Sequence, residues 1–310
     1  MQTINEFCAA FSTQVLTKHR HLQMGVPNGL WLSKHMSAMP PFAEACKVWY
    51  SGSLRTCDFS EATKTSAAIN TWAERETHRL ITGIEIPFGA GTDLLVTSSV
   101  YLKALWKTPF DTTHKGIFQT AAQARVDVDM MSVNETFRVS RSPDFHAIQV
   151  PFRDPNLFMI IALPAPHVSF EQMFFPHSRI FNNANYETLP VHLELPRLDI
   201  YRKYDLKAWL MAAGLTNIFV QTGESDLTKL AFPKLVIDAA GHDARLKIDQ
   251  LGTEAAGVTA IASSWAAGRV PRNQLIINRP FFFSVVDSLF NQILYMGVIA
   301  NPSHTSHTTT

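Results

Sequence analysis

Ile4, Phe7, Phe11 and Val15 recur at helical spacing, so the chain is predicted to open with an amphipathic helix. VPNGLWLS, from Val26, reads as a strand. PPFAEACKVWY, from Pro40, reads as a helix whose prolines suit its first turn. LRTCDF looks like a short strand, and Glu61 to Ile81 places Ile69, Trp72, Ala73 and Leu80 on one helical face. The pattern then switches to period two. In the long strand Asp93 to Trp106, Val96, Ser98, Val100, Leu102, Ala104 and Trp106 share a side that is almost wholly apolar. That side is expected to be covered, which makes the strand central. VDVDMMSV, TFRVS, HAIQVPF and LFMIIALP follow as a run of strands. LELPRLDIYRKYDLKAWLMAAGL reads as a strand followed by a helix that Gly214 stops. LVIDAAGHDARLKIDQ returns to strand, and LIINRPFFFSVV with ILYMGVIANP closes the chain as a hairpin-like pair.

Long strands mixed irregularly with helices, without repeat or linker, point to an α+β fold in one domain. With 310 residues and a hydrophobic fraction of 46% the chain can bury a large core. Pro280 to Ala300 is the most apolar window, but Asp287, Asn291 and Gln292 interrupt it, so two strands around a polar turn fit better than a membrane span. Lys+Arg 27 against Asp+Glu 26 leaves a net charge of +1, which gives no field for nucleic acid or a membrane surface. The basic run Lys18 to His21 reads as a solvated helix end. Cys8, Cys46 and Cys57 are odd in number and lack metal spacing, so free thiols are expected, with no metal and no cofactor. No basic, apolar leader opens the chain, so no secretory signal is expected; a cytoplasmic or an extracellular setting both stay open. No GxSxG or HExxH motif suggests a hydrolase.

Function enters through resemblance. The ordered set of INTWAERET (from Ile69), SSVYLKALWKTPFD (from Ser98), LPRLDI, YDLKAWLMAAGL, GTEAAG (from Gly252), LIINRPFFFSV (from Leu275) and YMGVIANP resembles the serpin family from about Val26 to Pro302. The resemblance implies one serpin-like domain over residues 1–302 and a disordered tail over 303–310. It implies a mixed main β-sheet, additional sheets, surrounding helices and an exposed reactive loop. The family is implied to inhibit serine or cysteine proteases by a one-use trap, in which the cut loop enters the main sheet as a new strand. Such insertion is a known case of strand addition. The expected function is thus serine protease inhibition rather than enzyme activity. The alternatives are a non-inhibitory, binding or chaperone-like serpin, or an incomplete chain that folds poorly.

The loop's chemistry suits insertion. On one face of an extended chain lie Thr253, Ala255, Gly257, Thr259, Ile261 and Ser263, none charged; Glu254 and Ala256 fall on the other. No proline precedes Pro271, so no ladder donor is lost. Gly252, Thr253, Glu254, Ala255, Ala256 and Gly257 are expected to form the hinge. Family spacing puts the scissile bond at Ala266–Ala267, which suits an elastase-like protease. Arg269–Val270, for a trypsin-like enzyme, and Arg272–Asn273 are the alternatives. By resemblance, Ser98, Trp106 and His242 control sheet opening, with His242 in a structural hydrogen-bonding role. Gln250 replaces the usual glutamate at the loop's base, and Arg197 occupies the place of its basic partner. The chain is short between the first helix, near Lys18, and VPNGLWLS, where the family carries a buried strand and the helices behind the main sheet. A heparin-binding helix of some members falls in that stretch, so no heparin binding is expected. A monomer is expected.

Overall fold

A computed structural model of the chain describes residues 2–11, 22–50, 52–168, 185–220, 227–252 and 271–303. Elements are numbered in chain order. The main sheet runs β11 (Leu198–Asp205), β13 (Ile237–Ile248), β5 (Leu94–Ala104), β2 (Asn28–Ser33), β4 (Gly52–Cys57), and β1 (Leu22–Gly25) also pairs with β5. The break at Val26 and Pro27 divides β1 from β2, and both lie antiparallel along β5. The second sheet runs β14 (Asn273–Ile276), β10 (Glu187–Pro196), β7 (Arg125–Arg141), β8 (Phe145–Pro151), β9 (Leu157–Pro164), β15 (Phe281–Asp287), β16 (Gln292–Ile299), with β6 (Thr112–Gln119) also on β7. A two-residue ladder joins β3 (Ser37–Ala38) to β12 (Ala231–Phe232).

Four helices are described: α1 (Gln2–Ala10), α2 (Pro40–Tyr50), α3 (Ala62–Glu76) and α4 (Leu206–Ala212). The apolar stripe of α3 buries Ile69, Trp72 and Ala73 against Trp31, Leu95 and Ala239 of the main sheet. Trp72 meets Trp31 edge to face at 5.7 Å, and Trp31 Nε1 donates to Thr97 Oγ1 at 3.0 Å. The helix stops where Thr77 turns inward: its hydroxyl donates to Ala73 O at 2.7 Å and accepts from Ile81 N at 3.0 Å. His78 and Arg79 then take left-handed conformations, so Leu80 lies past the helix rather than on its face. At α4, Asp205 accepts from Ala208 N at 3.1 Å as the N-cap, and Gly214, at φ 94°, takes the left-handed turn that stops the chain from continuing as helix.

Several sequence expectations change in detail. VDVDMMSV and TFRVS form one long strand, β7, because the pairing with β10 runs unbroken through Asn134 and Glu135 between them. LELPRLDI splits at Arg197 into strands of different sheets. LIINRPFFFSVV also splits: β14 edges the second sheet, and β15 with β16 makes the antiparallel hairpin. The polar turn between those two strands is held by the buried Asp287, whose carboxylate accepts from Leu289 N at 2.8 Å. Ile4 and Phe7 of α1 are mostly exposed, so that helix does not bury its whole apolar face.

The largest change concerns β5. Its fully covered face is the opposite of the expected one: Thr97, Ser99 and Tyr101 are buried on the side that faces α3, here called the front. On the rear face, Leu94 is covered by Leu230 and Leu235, and Leu102 and Ala104 by the core of the second sheet. Between them Val96, Ser98 and Val100 are only half-buried. Polar residues sit inside because the helix lies above them, and apolar ones are half open because nothing described covers that strip fully.

Trp72→Ala is expected to cost about 3–5 kcal/mol of stability, since it empties the centre of the α3 contact. Trp209→Ala, on the exposed face of α4, should change it by less than about 0.5 kcal/mol. Urea unfolding of the three proteins checks both; equal losses would mean that α3 is not packed as described.

Candidate functional site

The middle of the main sheet is a parallel ladder. β13 lies beside β5 from Ile237 opposite Leu94 to Leu246 opposite Leu102, with one irregularity between Ile237 and Ala239. Each end of this seam is fastened by polar contacts. At the start, Asp238 crosses it: Oδ2 accepts from Asp93 N at 2.7 Å. At the finish, Trp106 crosses it: Nε1 donates to Asp249 O at 3.0 Å and the backbone N donates to Leu251 O at 3.0 Å. Trp106 is buried and stacks on Phe152 with centroids 4.6 Å apart and planes 4° from parallel.

Gly252 sits at that finish and bridges both Leu105 and Asp249. Its φ is 135°, and a Cβ there would lie 2.1 Å from Ala104 O, so only glycine fits. Asp249 Oδ1 accepts from Leu251 N and Gly252 N at 3.0 and 3.1 Å and shapes the turn. The loop's root is therefore held between the ends of β5 and β13. Thr253 to Gly257, expected to form the hinge with Gly252, lie outside the described residues, as do Ala266, Ala267, Arg269 and Val270. The chain is described again from Pro271, where β14 runs parallel to β10 in the second sheet. Arg272–Asn273, the third bond considered, falls here, and Asn273 is already in β14, tied by Arg141 Nη2 at 3.0 Å.

Ser98 and His242 are directly opposite each other across the seam, and Asn28 lies opposite Ser98 on the next strand. The three make one row across the rear face. His242 packs against the Tyr204 ring at 6.1 Å, and burial lowers the basicity of its imidazole. No hydrogen bond to it is found among the described residues, so packing rather than hydrogen bonding places it. Arg197 and Gln250 share no hydrogen bond among the described residues. The Arg197 N–H donates to Asp129 O at 2.8 Å, and Gln250 O accepts from Phe110 N at 2.8 Å. Family-like Asn278 to Phe281 links β14 to β15: Asn278 O accepts from Gln119 N at 2.9 Å, and Arg279 Nη2 donates to Pro164 O at 2.8 Å.

Sequence reasoning missed the front of the seam. The segment between α3 and β5, residues 77–93, lies over β11 and β13, while α3 itself sits on β2 and β5. Besides the Asp93–Asp238 bond, polar ties from three side chains of β11 and β13 hold the segment there. Tyr201 Oη donates to Gly83 O at 2.7 Å, Arg245 Nη1 donates to Leu80 O at 3.0 Å, and Lys203 Nζ meets Glu85 Oε2 at 2.6 Å. Tyr201 also contacts the buried Asp243 carboxyl, which burial pushes up to about 6. The signal was present in LVIDAAGHDARLKIDQ: an acid alternating with alanine and glycine on one face of an apolar strand is an expensive choice for mere structure.

The match to the family described as "Serpin (serine protease inhibitor)" covers residues 1–302. Human Serpin B11 is 29% identical over 96% of this chain and 79% of its own length. A serine proteinase inhibitor of Cavia porcellus is 29% identical, over 92% of this chain and 70% of its own. Among solved structures, human thyroxine-binding globulin superposes with a TM-score of 0.85 at 22% identity, covering 97% of this chain and 80% of that one. The fold is thus shared by inhibitors and by a thyroxine-binding protein, none of them enzymes, and the chain belongs to the serpin family.

Proposed function

We propose that this chain inhibits serine-type proteases by taking its own cleaved loop into the seam between β5 and β13. The observation that carries the reading is the direction of those strands. Both run toward Gly252, where the loop begins. A loop that turned back at Gly252 would therefore lie antiparallel to both neighbours. One parallel ladder would become two antiparallel ones, and antiparallel pairing is slightly the more stable per residue. At roughly 0.5–1.5 kcal/mol net per hydrogen bond, a dozen inserted residues would gain on the order of 10 kcal/mol. That rivals the whole stability of a typical domain.

The residues from Thr253 to Ser263 suit the vacancy such an opening would create. Alternate side chains would face the α3 side and the rear, and the positions from Thr253 onward that share a face carry no charge. Ala266–Ala267 is the proposed scissile bond, with an elastase-like target; Arg269–Val270 is the alternative, with a trypsin-like one. Thyroxine-binding globulin shows why the fold alone does not carry the reading. The half-buried strip at Val96, Ser98 and Val100 favours a second reading, a non-inhibitory binder whose sheet is not built to part and close again.

Mixing the chain with elastase and separately with trypsin, followed by a denaturing gel, separates these readings. Inhibition predicts a band at the summed mass that survives boiling. Loop cleavage without such a band would favour the binder. Ala266→Arg should move trapping from elastase to trypsin, whereas Arg269→Ala should leave elastase trapping unchanged; the opposite pattern would assign the bait to Arg269. Ala255→Arg, which puts a charge on the inward face of the new strand, should turn most trapping into simple cleavage, read as the ratio of cleaved to trapped chain.

A further inference from the structure

The front of the seam holds one hydroxyl proton between two acceptors. Tyr201 Oη lies 2.7 Å from Gly83 O, in the segment over the seam, and in hydrogen-bond contact with Asp243 Oδ1 beneath it. A phenol has one proton to give. If Asp243 is ionised, that proton is drawn to the carboxylate, and the Gly83 carbonyl loses its donor. If Asp243 is protonated, the bonds run in series: the carboxyl donates to Tyr201, and Tyr201 donates to Gly83.

The surroundings of Asp243 bring the second arrangement within reach of mildly acidic solution. The carboxyl is 3% exposed, and Tyr201 is its one hydrogen-bond partner among the described residues. From β11, Lys203 is engaged by Glu85, and its ammonium lies 5.7 Å from the Tyr201 ring centroid. Along β13, Arg245 is engaged by Asp199 at 2.9 Å and by Leu80 O. Directly opposite on β5 stands Ser99, whose buried hydroxyl has no hydrogen-bond partner among the described residues and so gives nothing to Asp243. Tyr101 follows on the same face of β5, with His78 against its ring and Glu76 acting on its phenol. The Tyr201 hydrogen bond and then Lys203 favour ionisation of Asp243, while Glu85 of the overlying segment opposes it. Burial is the largest influence, and it favours the neutral acid.

We propose that Asp243, Tyr201 and the Gly83 carbonyl form a proton-operated clasp that fastens the α3–β5 segment across the insertion seam. The proton comes from solvent and returns to it. The clasp is complete in mildly acidic solution and opens at neutral pH. Its functional consequence rests on the loop-insertion reading above: an inserting strand must push β13 away from β5 while α3 rides on one side and its trailing segment is tied to the other. The sign follows from the carboxyl. Its folded value near 6 lies above the ordinary 3.8, so the stabilising effect of the proton is full below about 3.8 and is lost as pH rises through about 6.

Amide hydrogen exchange of the intact chain tests the clasp without any protease. After correction for intrinsic rates, the amides of Leu80 to Ile86 should exchange about tenfold more slowly near pH 5 than near pH 7.5, the value of one good hydrogen bond. Asp243→Asn, whose amide can donate to Tyr201 at any pH, should exchange slowly at both. Tyr201→Phe should exchange fast at both, and if it does not fold the asparagine variant decides alone. Wild-type exchange that ignores pH, or the same pH response in Asp243→Asn, overturns the proposal. The inhibitor reading fails separately: a chain with the pH-switched exchange that traps no protease keeps the clasp and loses the insertion mechanism.

Discussion

The ladder between β5 and β13 joins two strands that both run toward the root of the loop, and the remaining functional geometry is arranged around it. Asp238 fastens one end, and Trp106 with the Asp249 turn fastens the other. Gly252 lies where no side chain would fit, between the two strand ends. A sheet held this way resists random fraying, and under the proposed mechanism this is the one line along which an inserted strand would give it more hydrogen bonds than parting removes. The constraint is directional: were β13 antiparallel to β5, a strand turning back at Gly252 would be parallel to one of them, and the gain would shrink.

Cover over that line is unequal. In front, α3 and the segment after it straddle the seam, with aromatic packing on one side and polar ties on the other. Behind, Val96, Ser98 and Val100 are half-buried beside His242 and Asn28. The chain spans about four fifths of human Serpin B11, and its resemblance to the family is short between α1 and β2. The half-buried state of that strip among the described residues lowers the cost of parting the sheet, and it also lowers the stability of the sheet before it parts. The balance of those two effects separates an inhibitor from a binder in this chain.

Much of this was legible in the sequence because it is written in local pattern. The unbroken apolar run LFMIIALP, the apolar stripe of Ile69, Trp72 and Ala73, and the stop at Gly214 each fix an element without help from distant residues. The family-like NRPF segment falls at the link between β14 and β15, while GTEAAG beyond Gly252 lies outside the described residues. The side of β5 that is covered was not legible, since Thr97 and Ser99 look like surface residues until a helix earlier in the chain, α3, is known to lie over them. The Tyr201–Asp243–Gly83 arrangement was hidden for a related reason: it joins three segments far apart in sequence, and only the buried acid in LVIDAAGHDARLKIDQ hinted at it. Among the described residues no hydrogen bond to the His242 ring is found, and it packs instead beside the Tyr204 ring, its partner across the β11 pairing.

The most direct test is thermal unfolding of the chain before and after a single cut within residues 253–270, with both fragments retained. If the loop finds its place between β5 and β13, the nicked protein should melt well above the intact one, by tens of degrees if the gain approaches about 10 kcal/mol. A nicked protein that melts at or below the intact temperature would contradict the account, whatever family the chain belongs to.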